Sequence, residues 1–120
     1  MTVFCVDIDG TLTCGPGFTT FSDEEMLAQS PHYDMIEKVN LLYDGGHTVI
    51  LHTSRLWSDF SVTTAWLEKY GVKYHTLIMA KPLAHYYIDD KNMLIDEFLK
   101  SEHEIDKTFI SPKAMIEDQV

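Results

Sequence analysis

Two carboxylates stand one residue apart at the end of an apolar run, in the stretch Asp7-Ile8-Asp9-Gly10-Thr11. Unit charges about 4 Å apart repel by about 4 kcal/mol at an effective dielectric near 20. A pair placed in this way implies a nearby cation or a reaction that uses both acids. Later apolar runs also end in reactive residues: Thr53, then Lys81 close by, then Asp89-Asp90. Four carboxylates, a hydroxyl and an ammonium around one point suit phosphoryl chemistry. The carboxylates are hard oxygen donors for Mg²⁺, which keeps several waters and usually pairs with substrate phosphate. One carboxylate can attack phosphorus, and a second can carry a proton to the leaving alcohol. Thr53 and Lys81 can hold phosphoryl oxygens, one by a hydroxyl donor and the other by positive charge.

These residues converge only if parallel strands carry them. Val3 to Ile8 reads as a buried strand, His47 to Arg55 as a second with a polar end, and Lys73 to Met79 as a third. A short fourth strand closes on Asp89-Asp90, and Lys107 to Ile110 reads as a fifth. A flap over about 12–29 follows the first strand and holds Gly15, Pro16 and Gly17. Ser30-Pro31 then starts a helix with Met35, Ile36, Val39 and Leu42 on one face, stopped by Asp44-Gly45-Gly46. Trp57 to Tyr70 reads as a second helix with Val62, Trp66 and Tyr70 on one face, ended by Gly71. Asn92 to Leu99 reads as a third. The alternation predicts an α/β fold with a central parallel sheet wrapped by helices. In such folds, sites form at the carboxyl edge of the strands.

The chain of 120 residues is long enough for one domain, 1–120, and too short for two. A composition 45% hydrophobic and 23% charged is that of a globular protein. The net charge of -10 argues against nucleic acid as a partner, since backbone binding needs clustered Lys and Arg. It leaves small anionic substrates open, because a bound metal inverts the local field. Cys5 and Cys14 make no disulfide framework, and Cys5 reads as a buried free thiol. Neither a signal peptide nor an apolar run long enough to span a membrane is visible, so the reading is a cytoplasmic protein with no membrane partner. His32, His47, His52, His75, His85 and His103 lack zinc-binding spacing and read as structural or surface residues, with only His52 adjacent to the site. Trp57, Trp66 and Tyr86-Tyr87 read as core, and Phe18 and Phe21 as flap packing. In a tail of about 101–120, Phe109, Ile110, Met115 and Ile116 either dock on the sheet or form the subunit contact of a homo-oligomer.

The order of these motifs resembles the haloacid dehalogenase-like (HAD) superfamily in its phosphatase form. Its first motif, Asp-x-Asp-Gly-Thr, stands at residues 7–11, and its second, an apolar strand ending in Thr or Ser, is "VILHT" ending at Thr53. Its lone Lys is matched by Lys81 and its late acidic pair by Asp89-Asp90. The resemblance implies a Rossmann-like three-layer α/β/α domain, with Asp7 as nucleophile and Asp9 as general acid and base. It also implies Mg²⁺ held by Asp7, the Asp9 backbone carbonyl and Asp90, with Asp89 beside them. Thr53 follows Asp7 by 46 positions and Lys81 follows Thr53 by 28; neither gap holds the family's cap domain, so the enzyme should be capless. The segment from "NLLYDGGH" through "YYIDDK" is similar to small bacterial and phage capsular-polysaccharide or sugar-phosphate phosphatases. In that setting Thr53, Ser54, Arg55 and Lys81 would bind the substrate, with Arg55 holding an oxyanion by its fork.

Three other readings compete. A signalling receiver domain carries similar residues, but with its acidic pair first and its Lys last, the reverse of the order here. A polynucleotide end phosphatase is disfavoured by the negative charge. A catalytically silent metal-binding relative is disfavoured because every motif residue is present.

Overall fold

The computed structural model describes residues 1–15 and 22–101. Three parallel strands, β1 (Val3–Asp7), β2 (Thr48–His52) and β3 (Thr76–Ile78), form a sheet in the order β1-β2-β3. Pairing runs Asp7 to His52 and His52 to Ile78, so all three strands end level at one edge. Helices α1 (Asp23–Leu27) and α2 (Tyr33–Asp44) connect β1 to β2. A 3₁₀ turn, Trp57–Asp59, and α3 (Phe60–Lys69) connect β2 to β3, and α4 (Ile95–Lys100) follows. The expected parallel α/β architecture is therefore present.

Period-2 alternation on the strands decides where the core lies. Val6, Val49 and Leu51 are buried and pack with Met35, Ile36, Val39 and Leu42 of α2, Trp66 and Leu67 of α3, and Phe98 of α4. The opposite face carries Val3 and Cys5, both exposed, so the described residues make one helical layer on one side of the sheet. Cys5 is thus not the buried thiol that its apolar neighbours suggested. A second helical layer is not formed by the described residues.

Local chemistry explains the helix boundaries. Helix α2 starts two residues later than Ser30-Pro31 suggests, because that segment is held extended. Pro31 bridges Thr13, and the backbone N–H groups of Cys14 and His32 donate to Ser30 and Leu12, each at 2.7 Å. His32 caps the helix instead, its Nδ1 accepting from the Met35 N–H at 3.2 Å. Helix α1 begins with a capping box between Ser22 and Glu25. Trp66 is buried and donates its indole N–H to the Gln29 carbonyl at 2.9 Å, while Trp57 is largely exposed and is no core residue.

The fourth strand expected before Asp89-Asp90 is not formed. Tyr86 is exposed and Ile88 is 98% exposed. The Tyr87 hydroxyl donates back to the Pro82 carbonyl and accepts from the Ala84 N–H at 3.2 Å, which curls the segment. Asp89 then turns the chain by accepting from the Lys91 N–H at 2.8 Å. The expected fifth strand at 107–110, Phe18 and Phe21, His103, and the apolar tail residues Phe109, Ile110, Met115 and Ile116 lie outside the described residues. Among those described, no helix is long and apolar enough to cross a membrane.

Candidate active site at the carboxyl edge of the sheet

The strand ends bring Asp7, Asp9, Thr53, Arg55 and Lys81 together. Immediately after β1 the chain turns sharply. The Ile8 carbonyl accepts from the N–H groups of Thr11, Leu12 and Thr13 at 2.9–3.1 Å, and Gly10 takes φ 78°, a left-handed conformation suited to glycine. The Gly10 N–H is held at 3.0 Å by the Thr13 hydroxyl. This turn carries Asp9 inward, to 6% exposure, instead of leaving it beside Asp7.

Asp9 meets a fork. Arg55, only 2% exposed, donates from Nη2 to Asp9 Oδ1 at 2.8 Å and from Nε to Asp9 Oδ2 at 3.0 Å. Its remaining Nη1 donates to the Thr63 hydroxyl of α3 at 3.0 Å. Thr53 is fully buried; its hydroxyl donates to Asp9 Oδ2 at 3.3 Å and accepts from the Arg55 N–H at 3.1 Å. Three of the roughly four lone-pair directions of this carboxylate are filled, leaving one on Oδ1. The resemblance implies Arg55 at the substrate; the structure turns its guanidinium inward onto Asp9.

Asp7 has looser surroundings. Its side chain is 36% exposed, and the Lys81 ammonium lies 3.9 Å from Oδ1. Burial pushes its carboxyl above the usual range; Lys81 and a hydrogen bond from the Ile8 backbone pull it back, and Asp9 adds a small push upward. The same ammonium reaches its neighbours. Burial first, and Lys81 second, hold His52 below the ordinary imidazole value, and burial raises the Cys5 thiol.

Lys81 arrives here by a backbone clamp. The Thr53 N–H donates to the Ile78 carbonyl at 3.0 Å, the Ala80 N–H to the Arg55 carbonyl at 2.8 Å, and the Lys81 N–H to the Thr53 carbonyl at 2.8 Å. Ala80 takes φ 61° to make the reversal, a conformation costing about 1–2 kcal/mol for a residue with a Cβ. The ring of Tyr87 covers the ammonium, with Nζ 4.2 Å from the ring centroid.

Asp89 and Asp90 stand on the segment that follows Tyr87. Both are exposed, and among the described residues no three His, Cys, Asp or Glu side chains converge as a ready-made metal cage. Ser54 is half-buried between Thr53 and Arg55. Sequence reasoning missed Thr63 and Tyr87. A polar residue beside Val62 and Trp66 on an otherwise apolar helix stripe was the available signal for Thr63. Nothing short of the fold shows that Tyr87 curls back onto Lys81. The histidines His32, His47 and His75 each accept a backbone N–H at 3.0–3.2 Å and so support the scaffold. A surface groove of about 470 Å³ between α2 and Lys73 is lined by Tyr33, Leu41 and Asp44 and holds none of the strand-end residues.

No family model and no curated protein matches the chain. Two solved structures are similar in fold. A crystal structure from Vibrio cholerae is 24% identical with a TM-score of 0.69, covering 88% of this chain and 96% of that one. A chain of the Pnkp1/Rnl/Hen1 complex is 21% identical with a TM-score of 0.56; the match covers 93% of this chain and 35% of that one. At these identities the likeness is one of fold.

Proposed function

We propose that the protein is a capless HAD-type phosphatase, a Mg²⁺-dependent hydrolase of phosphomonoesters acting through an aspartyl-phosphate on Asp7. The observation that carries this reading is the pair at the strand ends: a half-exposed Asp7 carboxylate with an ammonium 3.9 Å away, next to a second carboxylate fixed by Thr53 and Arg55. Its proposed substrate is a small phosphorylated metabolite such as a sugar phosphate, and its proposed compartment is the cytoplasm.

The donor set suits Mg²⁺. This ion is commonly held by one or two carboxylates with waters and substrate phosphate filling the remaining positions. Asp7 is a hard oxygen donor whose side chain is 36% exposed at the strand end. Asp7 and the Asp9 backbone carbonyl would hold the ion, and Asp90, with Asp89 beside it, is proposed as the further ligand from the exposed segment. When bound, the ion would neutralise charge on the phosphoryl oxygens.

The chain's own residues would do the rest. An Asp7 oxygen attacks phosphorus, the bond from phosphorus to the ester oxygen breaks, and protonated Asp9 gives its proton to the departing oxygen. Water then attacks the phosphoryl group and yields a proton to Asp9, and the bond from Asp7 to phosphorus breaks, releasing inorganic phosphate. Asp9 Oδ1, with its one open lone-pair direction, is the atom for both transfers. Thr53 would orient Asp9, and Lys81 would meet the charge that develops on phosphoryl oxygens.

The test is steady-state phosphate release from p-nitrophenyl phosphate and a panel of sugar phosphates and nucleotides, in Mg²⁺ and in EDTA. Multiple turnovers that need Mg²⁺ and fall at least about 10³-fold in Asp7→Asn are expected. A single phosphorylation without turnover would replace this reading with the receiver-like one.

A further inference from the structure

The Lys81 side chain is only 16% exposed although it sits at the rim of the site, and two groups enclose its ammonium. Asp7 Oδ1 lies 3.9 Å from Nζ, and the Tyr87 ring lies beneath the ammonium with its centroid 4.2 Å from Nζ. The ring is itself held. Its hydroxyl bonds the Pro82 carbonyl and the Ala84 N–H, one and three residues after Lys81, while the Lys81 N–H is fixed to Thr53. The ammonium is thus tethered by its own backbone, covered by the ring and drawn to Asp7.

The geometry points to Tyr87 as a positioning residue that holds Lys81 over the attacking oxygen of Asp7 through a cation–π contact. A lysine stem has several rotatable bonds, and a free ammonium prefers water to a carboxylate 3.9 Å away. The negative face of an aromatic ring attracts the cation without competing for Asp7, and it displaces water from one side. The ammonium is then in place before a phosphoryl group arrives. The hydroxyl orients the ring, and the ring orients Lys81. The role in turnover rests on the phosphatase reading above; the contact does not.

Two measurements on the full chain test it. The first is the shift of the Lys81 ε-methylene signals, assigned with Lys81→Arg, in lysine-labelled protein. An upfield ring-current displacement that disappears in Tyr87→Leu is expected; signals unchanged by Tyr87→Leu overturn the inference whatever the activity. The second is kcat/KM for the best phosphomonoester of the panel, with the midpoint of thermal unfolding measured alongside. Tyr87→Leu should lower kcat/KM between about twofold and thirtyfold at an unchanged midpoint, as expected for losing one cation–π contact. Tyr87→Phe, which keeps the ring, should stay closer to the wild type. Phenylalanine analogues with one, two and three ring fluorines at position 87 should lower log(kcat/KM) in steps, because fluorine drains the ring face with little change of shape. A flat series in an active protein overturns the positioning role and leaves the phosphatase reading standing. A ring-current shift in a wild type that hydrolyses no phosphomonoester overturns both.

Discussion

Asp9 lies 6% exposed under a forked guanidinium and a threonine hydroxyl, whereas Asp7, two residues earlier, keeps about a third of its side chain in water and faces one ammonium at 3.9 Å. On a continuing strand the two would share a face. The turn at Ile8-Gly10 separates them, sending one carboxylate under α3 and leaving the other at the rim. A carboxylate with most of its lone pairs occupied is rigid and poorly nucleophilic, while one held by a neighbouring backbone N–H and an ammonium at 3.9 Å is freer to react. The difference between the two regions is therefore one of engagement. Asp9 belongs to the scaffold as much as to the site, and Asp7 belongs almost wholly to the site.

The sharpest way to break that contrast is to strip Asp9 of its partner. Arg55→Met leaves a buried carboxylate uncompensated, which costs about 3–5 kcal/mol. Urea unfolding should show a midpoint lowered accordingly at an unchanged slope. The double variant Asp9→Leu/Arg55→Met removes both charges and should recover most of the loss, since an apolar pair of similar volume replaces a buried ion pair at little cost. Failure of the double variant to recover would mean that the buried cluster depends on its hydrogen bonds to Thr53 and Thr63 more than on charge balance.

A smaller effect comes from the outermost member of the same cluster. Thr63→Val keeps the shape but leaves Arg55 Nη1 without its acceptor in a dry site. The expected loss is about 1–3 kcal/mol, the usual cost of a buried donor left unpaired and more than a typical surface substitution. The same unfolding measurement reads it. A loss below about 0.5 kcal/mol would show that water reaches Nη1 and that the cluster is less closed than its burial indicates.

How much of this was legible beforehand depends on the range of the signal. The strands at Val3–Asp7, Thr48–His52 and Thr76–Ile78 and the buried face of α2 are local patterns, and the chain shows them plainly. Their parallel order is enough to bring Asp7, Thr53 and Lys81 to one edge. Arg55 illustrates what local pattern omits: an arginine after a strand reads as a surface or ligand group, and only a tight turn 45 residues earlier puts a carboxylate beneath it. Cys5 reads as buried from its apolar neighbours, yet alternation places it on the face that the described helices do not cover. Tyr86 to Asp90 has the composition of a strand, but the Tyr87 hydroxyl and the Asp89 side chain close local hydrogen bonds that compete with pairing. Short-range polar bonds overrode a short apolar run there.

The smallest effect concerns Asp7 itself and separates burial from attraction. Burial is the leading cause that raises its carboxyl above the unfolded value, and Lys81 opposes it. A raised folded value means that the native state holds the proton more tightly, so the associated stability is fully present below the unfolded value and is lost as pH rises through the folded one. At neutral pH the ionised Asp7 is then a mild liability to the fold. In EDTA, Asp7→Asn should unfold at a slightly higher temperature than the wild type at pH 7, by no more than about 4 °C given the partial exposure of the group. The advantage should shrink as pH falls through the carboxylate range and vanish below it, because wild-type Asp7 is then neutral in both states. An Asn variant less stable than the wild type at pH 7 would reverse the ranking of causes and make Asp7 a structural partner of Lys81, as Asp9 is of Arg55. A stability gain from removing a charge, at the position where turnover is expected to disappear, is the behaviour of a residue kept for chemistry at some cost to the fold.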